Sequence, residues 1–182
     1  MTTREPGGTP AGDRMRALFL DPALAIDRLA EVLLLNASRA QLVAEVVRPA
    51  LAAGRWVLTD RFSLATLAYQ GYGRGLDLTA LRAVAATATG ALAPELTLLV
   101  DVPVALSRAR VAARTQATGA TIDRVEREDD AFHERVRAGY RELAAADASV
   151  RVLDGRLAPE ALAAAAWLEV TSAFGSLPSD QR

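Results

Sequence analysis

Apolar residues recur with helical spacing along most of the chain, and three short apolar runs, Trp56–Thr59, Leu96–Val100 and Val150–Leu153, interrupt that rhythm. The runs scarcely alternate, which is the pattern of strands in a parallel sheet covered on both faces. Between them the i, i+3, i+4 spacing predicts helices over Pro10 to about Leu20, Asp21–Asn36, Ala37–Ala53, Leu78–Thr89 and Pro103 to about Arg114. A long helix follows with the stripe Phe132, Val136, Tyr140 and Leu143, and then an Ala-rich one that Pro159 starts and Gly175 stops. Strands alternating with helices predict an α/β fold with a parallel sheet flanked by helices, one domain over residues 1–182.

Local chemistry sets the ends of these elements. Thr9 is a good N-cap and Pro10 a good first helical residue, with Met15, Leu18 and Phe19 facing inward. Pro49 should kink the third helix or limit its last turn, and Gly54 stops it. Before Thr9 the chain reads as the turn Pro6-Gly7-Gly8, with no strand in front of it. Gly71, Gly73, Arg74 and Gly75 read as a loop after a helix that carries Thr66, Tyr69 and Gln70. Thr115–Thr121 is a small-residue loop suited to a mobile lid, within a lid region of about 110–130, and residues 176–182 should be a disordered tail.

Composition narrows the function classes. Of 182 residues 51% are hydrophobic, enough for a full core. A net charge of −1 gives no global basic field for nucleic acid. The polar, Gly/Pro-rich start is unlike a signal peptide, and no apolar run is long enough to span a membrane, which points to no membrane partner. The absence of cysteine excludes disulfides, thiol catalysis and zinc–thiolate sites and fits a reducing cytoplasm. There is no lysine: all 21 basic side chains are arginine.

The strand Trp56–Thr59 runs straight into Asp60 and Arg61. Ligands of open parallel sheets bind beyond the carboxyl ends of strands. An Arg there suits a doubly hydrogen-bonded phosphate, and an Asp suits a Mg²⁺ shell. Each also has a plain structural reading, Asp60 as the N-cap of the next helix and Arg61 as a solvated charge. Arg110 and Arg114, four apart, could likewise be a solvated helix face, His133 a half-exposed helix residue, and Phe132 and Tyr140 core.

Five stretches in order carry a resemblance: TREPGGTP (Thr3–Pro10), EVLLLNASRAQ (Glu31–Gln41), RPALAAGRWVLTDRF (Arg48–Phe62), AYQGYGRGLD (Ala68–Asp77), and LLVDVP with DRVERED and FHERVRAGYRELA up to Ala144. Together they resemble bacterial thymidylate kinase. The resemblance implies the P-loop nucleoside monophosphate kinase fold with a lid, and transfer of the γ-phosphoryl group of ATP to dTMP with Mg²⁺. It implies that Arg61 holds the dTMP phosphate, with Asp60 beside metal and phosphates. Arg39 would read the thymine edge, Tyr69 would pack near the deoxyribose 2′ carbon, and Thr66 and Gln70 would take base- and sugar-side positions. Arg4, Pro6 and Leu35 join the implied substrate site. Glu126 resembles a lid acid near the metal, and Arg110, Arg114, Arg124 and Arg127 resemble lid arginines that neutralise charge in transfer. A homodimer through helices is also implied.

The chain departs from the family pattern in three places. The family begins with a strand and a phosphate loop GxxxxGK[ST] ahead of TREPGGT; neither is here, and without lysine no relocated loop lysine exists. That strand lies in the middle of the family's sheet, so its absence should leave Trp56–Thr59 and Leu96–Val100 facing a gap. Leu35 replaces the usual Phe that stacks on thymine, and Ser38 replaces the usual Asp. Two expectations follow: a dTMP kinase whose start has been placed too late, or a catalytically inactive P-loop-less relative that binds a nucleotide or another subunit. A related kinase for another small phosphoacceptor is disfavoured by AYQGYGRGLD.

Overall fold

Seven buried side chains, Val32, Leu67, Ala68, Leu81, Phe132, Val136 and Leu143, form one apolar cluster, and the helices that contribute them define the layout of the protein. The computed structural model describes residues 1–175. In chain order the elements are β1 (Thr2–Thr3), α1 (Pro10–Leu20), α2 (Arg28–Leu42), α3 (Arg48–Ala52), β2 (Leu58–Thr59), α4 (Ser63–Thr66), α5 (Leu78–Thr89), β3 (Thr97–Asp101), α6 (Val104–Thr118), α7 (Asp130–Ala145), β4 (Val150–Asp154) and α8 (Pro159–Phe174). Two π-helical segments, Val43–Val47 and Leu67–Gly73, join α2 to α3 and extend α4. The strands pair in parallel as β1–β2 and β3–β4, in register from Thr97 opposite Val150 to Asp101 opposite Asp154. The predicted tail over 176–182 lies outside the described residues.

Most helix ends form as their sequences dictate. The Thr9 hydroxyl accepts from the Gly12 N–H, and Pro10 opens α1. Asp77 caps α5 by accepting from Ala80 N at 2.8 Å, and Gly90 closes it in the left-handed conformation at φ 58°. Asp129 caps α7 through Phe132 N at 2.7 Å, which sets the Phe132, Val136, Leu143 stripe against the core. Phe19 is buried as expected, but Leu18 is 52% exposed.

Other boundaries differ from the sequence pattern. A two-residue strand, β1, does precede the Pro6-Gly7-Gly8 turn. Residues 22–27 are not helical, because Asp21 turns the chain by accepting from Ala23 N and the next cap is Asp27, which accepts from Leu29 N at 2.8 Å. The helix that starts there does not break at Asn36. It runs on to Ala52, and the π segment before Pro49 absorbs the hydrogen bond that proline cannot donate, the Arg48 N–H reaching back to Val43 O. Helix α6 likewise continues through Thr118 to a left-handed Gly119, so only the second half of the predicted loop is irregular.

Gly71 and Gly73 are helical rather than loop residues. A Cβ on Gly73 would lie 2.7 Å from Phe132 Cε2 and 2.8 Å from Val136 Cγ2. This glycine therefore permits a close approach of the π segment to α7, whereas Gly75, at φ 76°, makes the turn.

The strands are less covered than their apolar sequence suggests. Leu58 is 67% exposed, Val152 55%, Val100 42% and Trp56 40%. Among the described residues no strand bridges the β1–β2 and β3–β4 pairs. The apolar side chains that unalternating strands carry for a continuous sheet therefore have one open flank. The second pair is anchored to the helical layer by charge: Arg137 Nε and Nη2 on α7 donate to the two carboxylate oxygens of Asp101 on β3, at 2.7 and 3.0 Å. Among the described residues no helix is long and apolar enough to cross a membrane.

Two stability predictions follow from these contacts. Gly73→Ala gains helix propensity of about 1 kcal/mol but overpacks a buried ring at a cost of about 1–3 kcal/mol, so a net loss of about 1 kcal/mol is expected. An unchanged urea midpoint at constant slope would refute the close-approach account. The Arg137 hydrogen bond holds the Asp101 carboxyl below the usual carboxylate range, against the opposing effect of burial. A depressed folded-state pKa gives stability that is present above the unfolded value, about 3.9, and lost as pH falls through the folded one. Asp101→Asn should therefore cost about 1 kcal/mol at pH 7, with the difference closing below about pH 4; a cost independent of pH would exclude the ion pair as its source.

Candidate active site

The TREP turn, the inner face of α2, the end of β2 and the start of α4 converge on a cleft of about 570 Å³. The turn is held there by two links. Glu5 N donates to Asp60 Oδ1 at 2.9 Å, and Gly7 N donates to Ser38 Oγ at 3.0 Å. Asp60 is thus the fastener between the two motifs and not a helix cap; the N-cap of α4 is Phe62, which makes no side-chain capping bond. The Glu5–Pro6 peptide is cis, and both residues line the cleft.

Beneath the cleft lies a buried polar core. Arg39 and Glu5, each 1% exposed, form an ion pair at 2.5 Å. Arg39 Nη2 also donates to Thr66 Oγ1 at 2.7 Å, and Nη1 donates to Asn36 Oδ1 at 2.8 Å. Asn36 is fixed in turn, donating to Val32 O at 2.8 Å. Among the described residues Arg39 Nε and Glu5 Oε2 have no hydrogen-bond partner. Buried charges are expected to be paired in this way, and the unused atoms are those a ligand can meet.

Arg61 stands at the mouth of β2 with its guanidinium 4.5 Å from the centre of the Tyr69 ring, a cation–π geometry. Tyr69 packs edge-on against Tyr140 at 6.1 Å. Burial is the largest influence on the Tyr140 hydroxyl, which is pushed up to about 12 and so stays a neutral donor beside Arg61. Leu35 supplies an apolar wall, and Pro6, Thr66 and Gln70 complete the set that the sequence brought forward and the fold brings together.

Other sequence-derived candidates lie differently. Arg4 is not among the cleft-lining residues; it pairs with Asp13 at 2.9 Å on the surface. Arg114 pairs with Glu126 at 2.7 Å, so two lid candidates hold each other. Arg124 bonds Glu31 at 2.8 Å and the Phe19 carbonyl at 3.0 Å, with its guanidinium 5.1 Å from the Phe19 ring. Arg110 and Arg127 are exposed. Among the described residues no group of three His, Asp or Glu side chains could hold a metal ion by itself.

Sequence reading missed several lining groups. Arg16, on the second turn of α1, donates to Pro6 O at 3.0 Å; its helical distance from the Thr9 cap was the available signal. Arg108 donates to the Glu126 carbonyl at 2.6 Å and to Asp130 at 2.8 Å, pinning the segment before α7. His133 also lines the cleft. Burial, aided by the Arg108 charge, holds its imidazole below the ordinary value, and its Nε2 is buried without a partner. A second, more open hollow of about 460 Å³ lies beside Arg28, Arg74, Arg124 and Glu128. Three of those four charges already engage one another or Glu31.

Comparison with known proteins identifies the family. The family described as thymidylate kinase matches residues 1–165. The thymidylate kinase of Deinococcus radiodurans is 50% identical over 170 residues, covering 93% of this chain and 80% of that protein. That of Citrifermentans bemidjiense is 55% identical over 146 residues, covering 79% of this chain and 65% of the relative. That of Carboxydothermus hydrogenoformans is 49% identical over 158 residues, 87% and 75% of the two chains. The chain thus spans about two thirds to four fifths of these relatives' length. With its parallel strands and flanking helices of the P-loop nucleoside monophosphate kinase type, it belongs to the thymidylate kinase family of phosphotransferase enzymes.

Proposed function

We propose that the cleft is the acceptor site of a dTMP kinase acting in the cytoplasm. In that reaction an oxygen of the dTMP phosphate forms a bond to the γ-phosphorus of ATP. The bond from that phosphorus to the β–γ bridging oxygen breaks, giving dTDP and ADP. The observation that carries the reading is Arg61 at the strand end, oriented by Tyr69 and backed by the buried Arg39–Glu5–Thr66 cluster. A planar guanidinium at the mouth and an apolar, hydrogen-bonding interior fit a ligand with a phosphate at one end and a base at the other.

Within that reading Arg61 grips the acceptor phosphate and Asp60 holds the TREP turn against it. Tyr69 and Pro6 bound the sugar region. Leu35, Arg39, Thr66 and Gln70 surround the base, an apolar wall replacing an aromatic one. Arg114, Arg124 and Glu126 would act on the transferring group only after leaving their present partners, so in this arrangement they tether the lid region. Phosphoryl transfer depends chiefly on positioning and charge stabilisation, and this chain's arginines supply both for the acceptor.

The donor side fits less well. With no lysine in the sequence and no GxxxxGK[ST] loop, the described residues do not form a cradle for the ATP phosphates. Among the described residues Asp60 Oδ2 accepts no hydrogen bond, and it could give one oxygen to a Mg²⁺ ion whose shell is otherwise phosphate and water. Leu29 and Leu33, four apart on α2 and 57% and 52% exposed, give a face suited to a second copy of the chain.

Calorimetric titration with dTMP and with thymidine tests the phosphate assignment. The chain is expected to bind dTMP at least tenfold more tightly, and Arg61→Met to remove most of that difference while thymidine affinity changes little. Equal affinity for the two ligands in the unaltered chain would sink the reading.

A further inference from the structure

Glu31 lies on the same face of α2 as Leu35 and Arg39, four and eight residues on, but is not itself a lining residue of the cleft. It is 1% exposed, and its carboxylate is fully engaged. Its Oε1 accepts from Gln70 Nε2 at 2.6 Å and from Arg74 Nε at 3.4 Å. Its Oε2 accepts from Arg124 Nη1 at 2.8 Å and from Arg74 Nη2 at 3.4 Å. Arg74 is itself tied to Glu128 at 2.5 Å, and Arg124 to the Phe19 carbonyl. The carboxylate is therefore clamped between two guanidiniums that have other anchors and cannot swing freely.

This clamp decides which way round the Gln70 amide sits. A carboxylate oxygen flanked by guanidiniums accepts hydrogen bonds and donates none, so the NH₂ end of Gln70 must face it. The carbonyl end is left. Gln70 is 2% exposed and lines the cleft, and among the described residues its Oε1 has no hydrogen-bond partner. A buried acceptor without a partner is the kind of group a ligand is built to satisfy.

We infer that Glu31 is a positioning residue that fixes Gln70 with its carbonyl toward the ligand, so that the cleft selects a base presenting a ring N–H over one presenting a ring acceptor. The inference rests on the reading of the cleft as a dTMP site. Thymine carries a hydrogen on N3, whereas cytosine carries a lone pair there, and two acceptors facing each other repel. A neutral amide at position 31 can both donate and accept. It would let Gln70 turn over and offer its NH₂ group to cytosine.

The test is calorimetric titration of the full chain with dTMP and with dCMP. The unaltered chain is expected to prefer dTMP. Glu31→Gln should lower the dTMP-to-dCMP affinity ratio by about tenfold, partly by improving dCMP binding, an effect that loss of structure alone does not produce. Equal losses for both nucleotides would overturn the inference. If that variant does not fold, Gln70→Leu decides: it keeps Glu31 and removes the acceptor, so the ratio should fall as far, and a retained ratio overturns the inference. A chain that binds dTMP with no preference over dCMP overturns the inference alone. A chain that binds neither nucleotide overturns the reading of the cleft and the inference with it.

Discussion

The buried ion pair between Arg39 and Glu5 is the constraint on which the site depends. Two charges held at 1% exposure are tolerable only if each is neutralised in place, and removing one partner of such a pair costs about 3–5 kcal/mol. Neutralisation brings together a turn near residue 5, the last turn of α2 and, through Thr66, the end of α4. Three segments distant in sequence are thus locked at one point. Asp60 adds the fourth by taking the Glu5 N–H. The mouth of the cleft follows this lock: with the turn and the DRF segment fastened, Arg61 projects beside Tyr69, which packs on Tyr140.

A second polar assembly repeats the principle nearer the lid. Glu31, Arg74, Arg124 and Glu128 balance two negative and two positive charges across α2, the end of the π segment and the loop before α7. The two assemblies share one face of α2, which is why that helix carries so many buried polar residues for its length: Glu31, Asn36, Ser38 and Arg39. The helix serves as the spine of the site, while the apolar cluster beside it provides the rigidity.

Much of this was legible in the sequence, and the divide follows the range of the forces involved. Caps such as Thr9 and Asp77 and the stop at Gly90 act within a few residues and could be read directly. The motif residues Arg61, Thr66, Tyr69 and Gln70 were also visible, through the resemblance that the DRF and AYQGYGRGLD stretches carry. Charge pairing was not. Nothing local says that Arg124 meets Glu31, 93 positions away, rather than a phosphate, or that Arg114 meets Glu126. The open flank at Leu58 and Val100 was legible, since the absent central strand was expected to leave Trp56–Thr59 and Leu96–Val100 facing a gap, whereas the exposure of Val152 was not. The two π segments escaped because each is short and lies inside a longer helical run.

The π-helical turn at Leu67–Gly73 has an implication for how this site could change over time. A π turn is an α-helix with one residue inserted, and its hydrogen bonds, such as Arg74 N to Tyr69 O at 2.9 Å, span one residue more than α-helical ones. Loss of a single residue there would restore an α register and rotate everything downstream by about 100° relative to what precedes it. Gly73 would leave the face of α7, and Arg74 would leave Glu31 and Glu128. A change in the length of this segment by one would dismantle the wall of the cleft even if every buried side chain in it were kept. Its residue count is therefore a determinant of the site beside its residue identities.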